Sequence, residues 1–290
     1  MGFDDLAPQG PMNPDADRYG RTCLDLSRRV AATMPCRLDV QYGPAPEHRL
    51  DIYAPGTTPA APVLVFVHGG GFTHGYKEWC GFMAPAVSPS VLVAVRYRLQ
   101  PSVVHPTSAL DVAAALAWTK THIAEYGGDP RRIHVGGHSA GGAIAASLAV
   151  NPDWLAALGL GADAIGGTVC LSTTFHAFAV TATGAAGYTL PPGPLPVDAE
   201  SPLGRVAHAR GRFFLGWGGR ERQRERVERS SMAMISALRD RGVPADWVFL
   251  ADADHFETHL AFADRDHAWS RALRTWLEGP APADEGALRT

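Results

Sequence analysis

A mainly parallel α/β sheet with helices on both faces is what this chain of 290 residues predicts, on three observations. Apolar runs that do not alternate, residues 62–67 (PVLVFV) and 90–97 (SVLVAVRY), have the composition of strands covered on both faces. Beyond an initial hairpin, strand-like runs alternate with stretches of helical spacing, the order that builds parallel sheets. Two of the strand-like runs lead straight into glycine-rich turns, HGGGF at 68–72 and GHSAG at 137–141.

In chain order, residues 1–17 are rich in Pro, Asp and Gly and read as a flexible arm, without the basic-then-apolar layout of a signal peptide. Residues 18–34 are patterned as a helix with Leu24, Leu26, Val30 and Met34 inward. Residues 38–42 and 49–53 flank Gly43-Pro44 as a hairpin. Strands follow at 62–67 and 90–97, a helix over 109–126, a short strand at 132–136 and a small-residue helix at 140–150. Further strands are expected at 165–171, 212–216 and 247–250, with helices over 221–240 and 262–277. The stretch 175–202 (with TLPPGPLPVD) breaks this rhythm and reads as a lid-like insertion. The predicted organisation is an N-terminal arm and helix (1–37), one α/β domain (38–278) and a flexible tail (279–290).

Composition excludes several classes. Hydrophobic residues are 46% and charged residues 19%, enough to bury a sizeable core. The net charge of −3 supplies no basic field, so no nucleic acid partner is expected. No apolar run approaches the length of a membrane span, so no membrane partner is expected and a cytoplasmic location is. Cys23, Cys36, Cys80 and Cys170 are widely spaced, with no CxxC, and read as reduced thiols. The histidine pairs His134/His138 and His255/His259 are four apart, but the first straddles a strand and a turn. No metal and no organic cofactor is expected. Oligomeric state is not readable.

Gly137-His138-Ser139-Ala140-Gly141 fits G-x-S-x-G between a predicted strand and a predicted helix. Strand, sharp turn and helix is the context of a nucleophile elbow, which makes Ser139 the candidate nucleophile. Side chains at 137 or 141 would clash with the adjacent strand and helix, and the helix start offers free N–H groups to a developing oxyanion. His68-Gly69-Gly70-Gly71-Phe72 follows the buried strand and leaves backbone amides bare. Gly70 and Gly71, with Ala140, are the expected oxyanion donors. His68 is expected to brace this loop.

The series HGGGF (68–72), YRLQP (97–101) with His105-Pro106 and Asp111, GGDPRRI (127–133) and GHSAGG (137–142) resembles the hormone-sensitive-lipase-like esterases. GYKEWCGFMAP (75–85), EYGGDP (125–130) and DHFE (254–257) resemble the arylformamidase (kynurenine formamidase) branch of the same superfamily. The likeness covers about residues 38–277. It implies an α/β-hydrolase fold, an eight-stranded mainly parallel sheet with a short lid, and the chain order nucleophile, acid, histidine. His255, just after the last expected strand, is then the base. The acid should follow strand 212–216, and Glu221 is the first carboxylate there. Glu225, Asp252 and Asp254 stay as alternatives, because Glu221 also reads as part of a solvated helix with pairs such as Glu225–Arg229.

Phe72, Trp79, Phe82, Met83, Phe175, His176, Phe178 and Trp217 lie near predicted loops and are the candidate substrate contacts, although core packing explains each of them as well. The expected activity is hydrolysis of a small carboxylic ester or activated amide through an acyl-enzyme. An arylformamidase-type amidase is the alternative. A non-catalytic small-ligand binding protein and an acyltransferase on the same fold are the readings of another class.

Overall fold

The structure is a computed structural model that describes Phe3 and residues 5–56, 58–176 and 194–279. Most of the expected lid (residues 177–193), with Phe178, and the tail beyond Gly279 lie outside the described residues. Eight strands form one sheet in the order β1-β2-β4-β3-β5-β6-β7-β8. They are β1 Cys36–Gln41, β2 Arg49–Tyr53, β3 Ala61–Val67, β4 Val91–Val95, β5 Gly128–His138, β6 Gly167–Leu171, β7 Arg212–Gly218 and β8 Ala245–Leu250. β2 pairs antiparallel with β1 and β4, and every later pairing is parallel. The central strands are buried along their whole length, which is why their sequences do not alternate.

The faces of β3 show how the layers are divided. Val63, Val65 and Val67 pack with Val91, Val93 and Val95 of β4 against α3 (Thr107–His122) and α4 (Ala140–Val150). Leu64 and Phe66 point the other way, onto α1 (Pro14–Thr33), α2 (Ala84–Val87) and α8 (Ala268–Glu278). A third cluster joins Phe213, Leu215 and Trp217 of β7 to the far side of α4 and to α6 (Arg224–Arg239). Two further α-helices among the described residues are short, α5 Pro152–Ala156 and α7 Glu257–Leu260. Among the described residues no helix is long and apolar enough to cross a membrane. The four cysteines are free.

Two expectations change at the N-terminus. The helix starts at Pro14, not at 18, with Asn13 capping the Ala16 amide at 3.0 Å and Pro14 at the first position. Its buried stripe is Ala16, Tyr19, Gly20, Cys23 and Ser27, while Leu24, Leu26, Val30 and Met34 are only half-buried against the same cluster. The small residues are inward because Trp79 lies directly on Gly20, where a Cβ would press into its ring. The preceding arm is tied down: Gln9 bonds both the amide and the carbonyl of Gly75, and the Tyr76 hydroxyl donates to the Ala7 carbonyl.

Several histidines are enclosed by the fold. Burial lowers His68 to about 4 and His134 and His259 to about 3, from an ordinary 6.5. Each stays neutral in the folded chain and takes up a proton on unfolding below pH 6.5, so their contribution to stability is whole above that pH and is lost as the pH falls toward 4. The Tm is therefore expected to fall steadily between pH 6.5 and 4, each such ring adding a slope of about 1.4 kcal/mol per pH unit. A Tm that is flat across this window would contradict neutral burial of the three rings.

Candidate active site

The chain passes from β5 to α4 through a single residue. Ser139 has φ 55° and ψ −120°, a left-handed backbone that non-glycine residues adopt only when their surroundings impose it. The surroundings are close. A Cβ on Gly137 would meet the backbone of Gly141 and Gly142, and one on Gly141 would meet the carbonyls of Val67 and His68. The Ser139 amide donates to the Leu171 carbonyl at 2.8 Å, and the Ser139 carbonyl accepts from the Thr173 hydroxyl. The side chain is left projecting into a cavity, with Ala140 as the first residue of the helix behind it.

His255 lies in the turn between β8 and α7. Its Nε2 is 3.0 Å from Ser139 Oγ, and its Nδ1 is 3.1 Å from Glu221 Oε2. The second Glu221 oxygen accepts the Gly218 amide at 3.0 Å, and the carboxylate is buried. An ionised Glu221 accepts the Nδ1 proton, so Nε2 is left to accept the Ser139 hydroxyl. The expected helix over 221–240 starts later, at Arg224, so Glu221 sits in the loop ahead of it, free to turn inward. The alternatives are placed otherwise. Glu225 is exposed and pairs with Arg229 at 3.2 Å. Asp252 is exposed. Asp254 accepts the amides of Phe256 and Glu257 at 2.8 and 2.9 Å and so shapes the histidine's turn.

The loop after β3 faces the same point. Gly70 has φ 111° and Gly71 φ 63°, and a Cβ on Gly70 would run into the His74 carbonyl. Among the described residues neither glycine's amide donates to an acceptor of the chain. His68 braces the loop: its Nδ1–H donates to the Gly69 carbonyl at 2.7 Å, and its ring stacks on Tyr97 at 4.5 Å. Gly70, Gly71 and Ala140 line the same cavity as Ser139, and two backbone amides on a glycine loop with a third at a helix start can together hold a tetrahedral oxyanion.

The cavity measures about 410 Å³. Met12, Ala16, Tyr19, Trp79 and Phe256 form an apolar wall; Thr173, Thr174, Gln223, Arg222 and Arg226 line the polar side. Of the expected contacts among the described residues, only Trp79 lines it. Phe72 packs in the α3/α4 core, Phe82 and Met83 in the α1/α8 core, and Phe175 and Trp217 beside α6. His176 is fully buried, with Nδ1 3.0 Å from Ser230 Oγ. These side chains belong to tightly packed layers under the site. The lining that sequence reasoning missed comes partly from the start of α1, with Met12, Asn13, Asp15 and Tyr19 more than a hundred residues from Ser139, and partly from Thr173, Thr174, Arg222 and Gln223 in the loops after β6 and β7; for the first group the capping pattern Asn13-Pro14 is the available signal.

The strand order, the parallel pairing and the site's placement at the strand ends are those of one structural class. The LipW esterase of Mycobacterium marinum superposes with a TM-score of 0.68 at 20% identity, covering 96% of this chain and 98% of that one. The chain has the α/β-hydrolase fold. Residues 48–165 match the Carboxylesterase family. Esterase LipC of Mycobacterium tuberculosis is 36% identical over 55% of this chain and 40% of its own length, and the carboxylesterase NlhH of that organism is 43% identical over 30% and 28%. The matched stretches thus span 40% or less of these curated relatives.

Glu221→Gln keeps size and loses the charge that orients His255, so turnover is expected to fall strongly, toward the roughly 10⁴-fold loss known for such a change in a serine protease. Glu225→Gln removes the same charge from an exposed pair and should change turnover less than about twofold, the pair being worth roughly 0.5 kcal/mol. Steady-state kinetics on both variants is the check. Equal, small effects would place the acid elsewhere.

Proposed function

We propose that this chain is a serine hydrolase that cleaves a small carboxylic ester, or an activated amide, through an acyl-enzyme. The observation that carries this is the relay Ser139 Oγ, His255, Glu221, with steps of 3.0 and 3.1 Å, opening on a cavity. Ser139 attacks the carbonyl carbon as His255 Nε2 takes its proton. The carbonyl oxygen becomes an oxyanion held by the amides of Gly70, Gly71 and Ala140. His255 returns the proton to the leaving alcohol or amine, and the acyl group stays on Ser139. Water, activated by the same ring, then attacks the acyl-enzyme and releases the acid. Glu221 keeps the imidazole in the working tautomer and stabilises its charged form.

The esterase names of LipC, NlhH and LipW support ester over amide as the first choice. A cavity of about 410 Å³ with an aromatic wall fits a compact acyl or aryl group better than a long lipid chain.

The test is a panel of nitrophenyl esters of increasing acyl length together with N-formyl anilides, run on the wild type and on Ser139→Ala. Short esters are expected to turn over fastest, and Ser139→Ala is expected to retain less than a tenth of the wild-type rate while remaining folded. N-formyl anilides cleaved faster than any ester would favour the arylformamidase-type alternative. Residual activity in Ser139→Ala within about tenfold of wild type would rule out that nucleophile. A rate that climbs with chain length beyond about ten carbons, near 0.8 kcal/mol per buried methylene, would rule out the compact substrate.

A further inference from the structure

His138 precedes Ser139 and has no part in the reaction just described, yet its ring sits at the centre of the site. It is buried, and its Nε2 lies 2.7 Å from the backbone carbonyl of His255. A carbonyl only accepts, so Nε2 carries the proton and donates it. The same carbonyl accepts the Thr258 hydroxyl at 2.8 Å, and Thr258 in turn meets Ser172 Oγ at 2.6 Å. The His138 ring lies parallel to His259 at 5.1 Å and faces His255 at 4.8 Å and Tyr19 at 5.9 Å. Among the described residues Nδ1 has no hydrogen-bond partner. The Nε2–H bond is therefore the one hydrogen bond of the ring among the described residues.

We propose that His138 is a positioning residue for the base, its Nε2–H fastening the turn that carries His255 to the strand that carries Ser139. This role rests on the reading of His255 as the base. The need for it is geometric. Ser139 and His255 are 116 positions apart in the chain, and the His255 side chain is 30% exposed. Glu221 holds the far nitrogen of that ring but does not hold the backbone beneath it. Proton transfer requires Nε2 to stay within hydrogen-bond reach of Oγ, and displacements of about 1 Å are costly. A ring attached to the residue next to the nucleophile shortens the connection to a single hydrogen bond.

The residue type fits the task. Burial, with the nearby rings of His255 and His259, pushes the His138 pKa well down and keeps the ring neutral. It donates without placing a second positive charge beside the imidazolium that forms on His255. Thr258 shares the target but stands in the helix that follows His255, and its hydroxyl leads to Ser172, just past the end of β6. His138 is the direct tie to the nucleophile's own strand.

The experiment measures kcat, KM and Tm of the full chain on a short nitrophenyl ester. His138→Phe keeps the ring's bulk and loses the donor; His138→Gln sets an N–H at about the reach of Nε2. His138→Phe is expected to lower kcat by about ten- to a hundredfold with KM changed less than twofold. His138→Gln should recover most of that loss. If His138→Phe does not fold, His138→Leu, which also lacks a donor, takes its place. Undiminished kcat in the donorless variant overturns the role, and so does an equal loss in the donorless and Gln variants that tracks their Tm. A wild type that hydrolyses no ester overturns the proposed reaction and this role with it, whereas an active wild type matched by His138→Phe overturns this role alone.

Discussion

The single-residue passage from β5 to α4 is the constraint on which the rest of the site depends. A left-handed φ at Ser139 costs on the order of 1–3 kcal/mol. It is held by the Leu171 carbonyl on its amide, by Thr173 on its carbonyl and by a helix α4 that is buried along its entire length. The helix can lie so close only because residues 137 and 141 have no side chain to collide with it or with the end of β3. One turn thus sets the direction of Oγ, the exposure of the Ala140 amide and the seat of the glycine loop that follows β3.

Parallel pairing then does the gathering. The loop at 68–72 follows β3, Ser139 follows β5, Glu221 follows β7 and His255 follows β8, so that all four stand at the carboxyl ends of strands in one sheet. The outer elements close the sides. Arg222, beside the buried carboxylate, pairs with Asp15 at the start of α1 at 2.6 Å, linking the loop of Glu221 to the helix that brings Tyr19 to the cavity. Glu221 itself is fixed by the Gly218 amide, which replaces part of the hydration that its burial removes.

Much of this was legible in the sequence, for physical reasons. Fully buried strands read as unbroken apolar runs, and 62–67 and 90–97 fall on β3 and β4. The elbow was legible because close backbone packing demands glycine at fixed offsets from the serine. Glu221 was harder to read: a run of mixed charges looks like a solvated helix surface, and nothing local reveals that the helix begins only at Arg224. The pocket was the least legible part. Phe82 and Trp79 are alike in type and three residues apart, yet Trp79 borders the cavity and Phe82 fills the core beneath it. Trp79 packs on α1, whose inward stripe is hard to read because its buried positions are Ala, Gly, Cys and Ser besides Tyr19.

The proposed reaction requires the elbow serine and the three backbone amides to act on the same carbonyl group. A crystal structure of the chain after reaction with a small fluorophosphonate tests this directly. The prediction is a covalent bond from Ser139 Oγ to phosphorus, with the phosphoryl oxygen about 3 Å from the amides of Gly70, Gly71 and Ala140. A phosphonate attached to another residue, or a phosphoryl oxygen turned away from those amides, would contradict it.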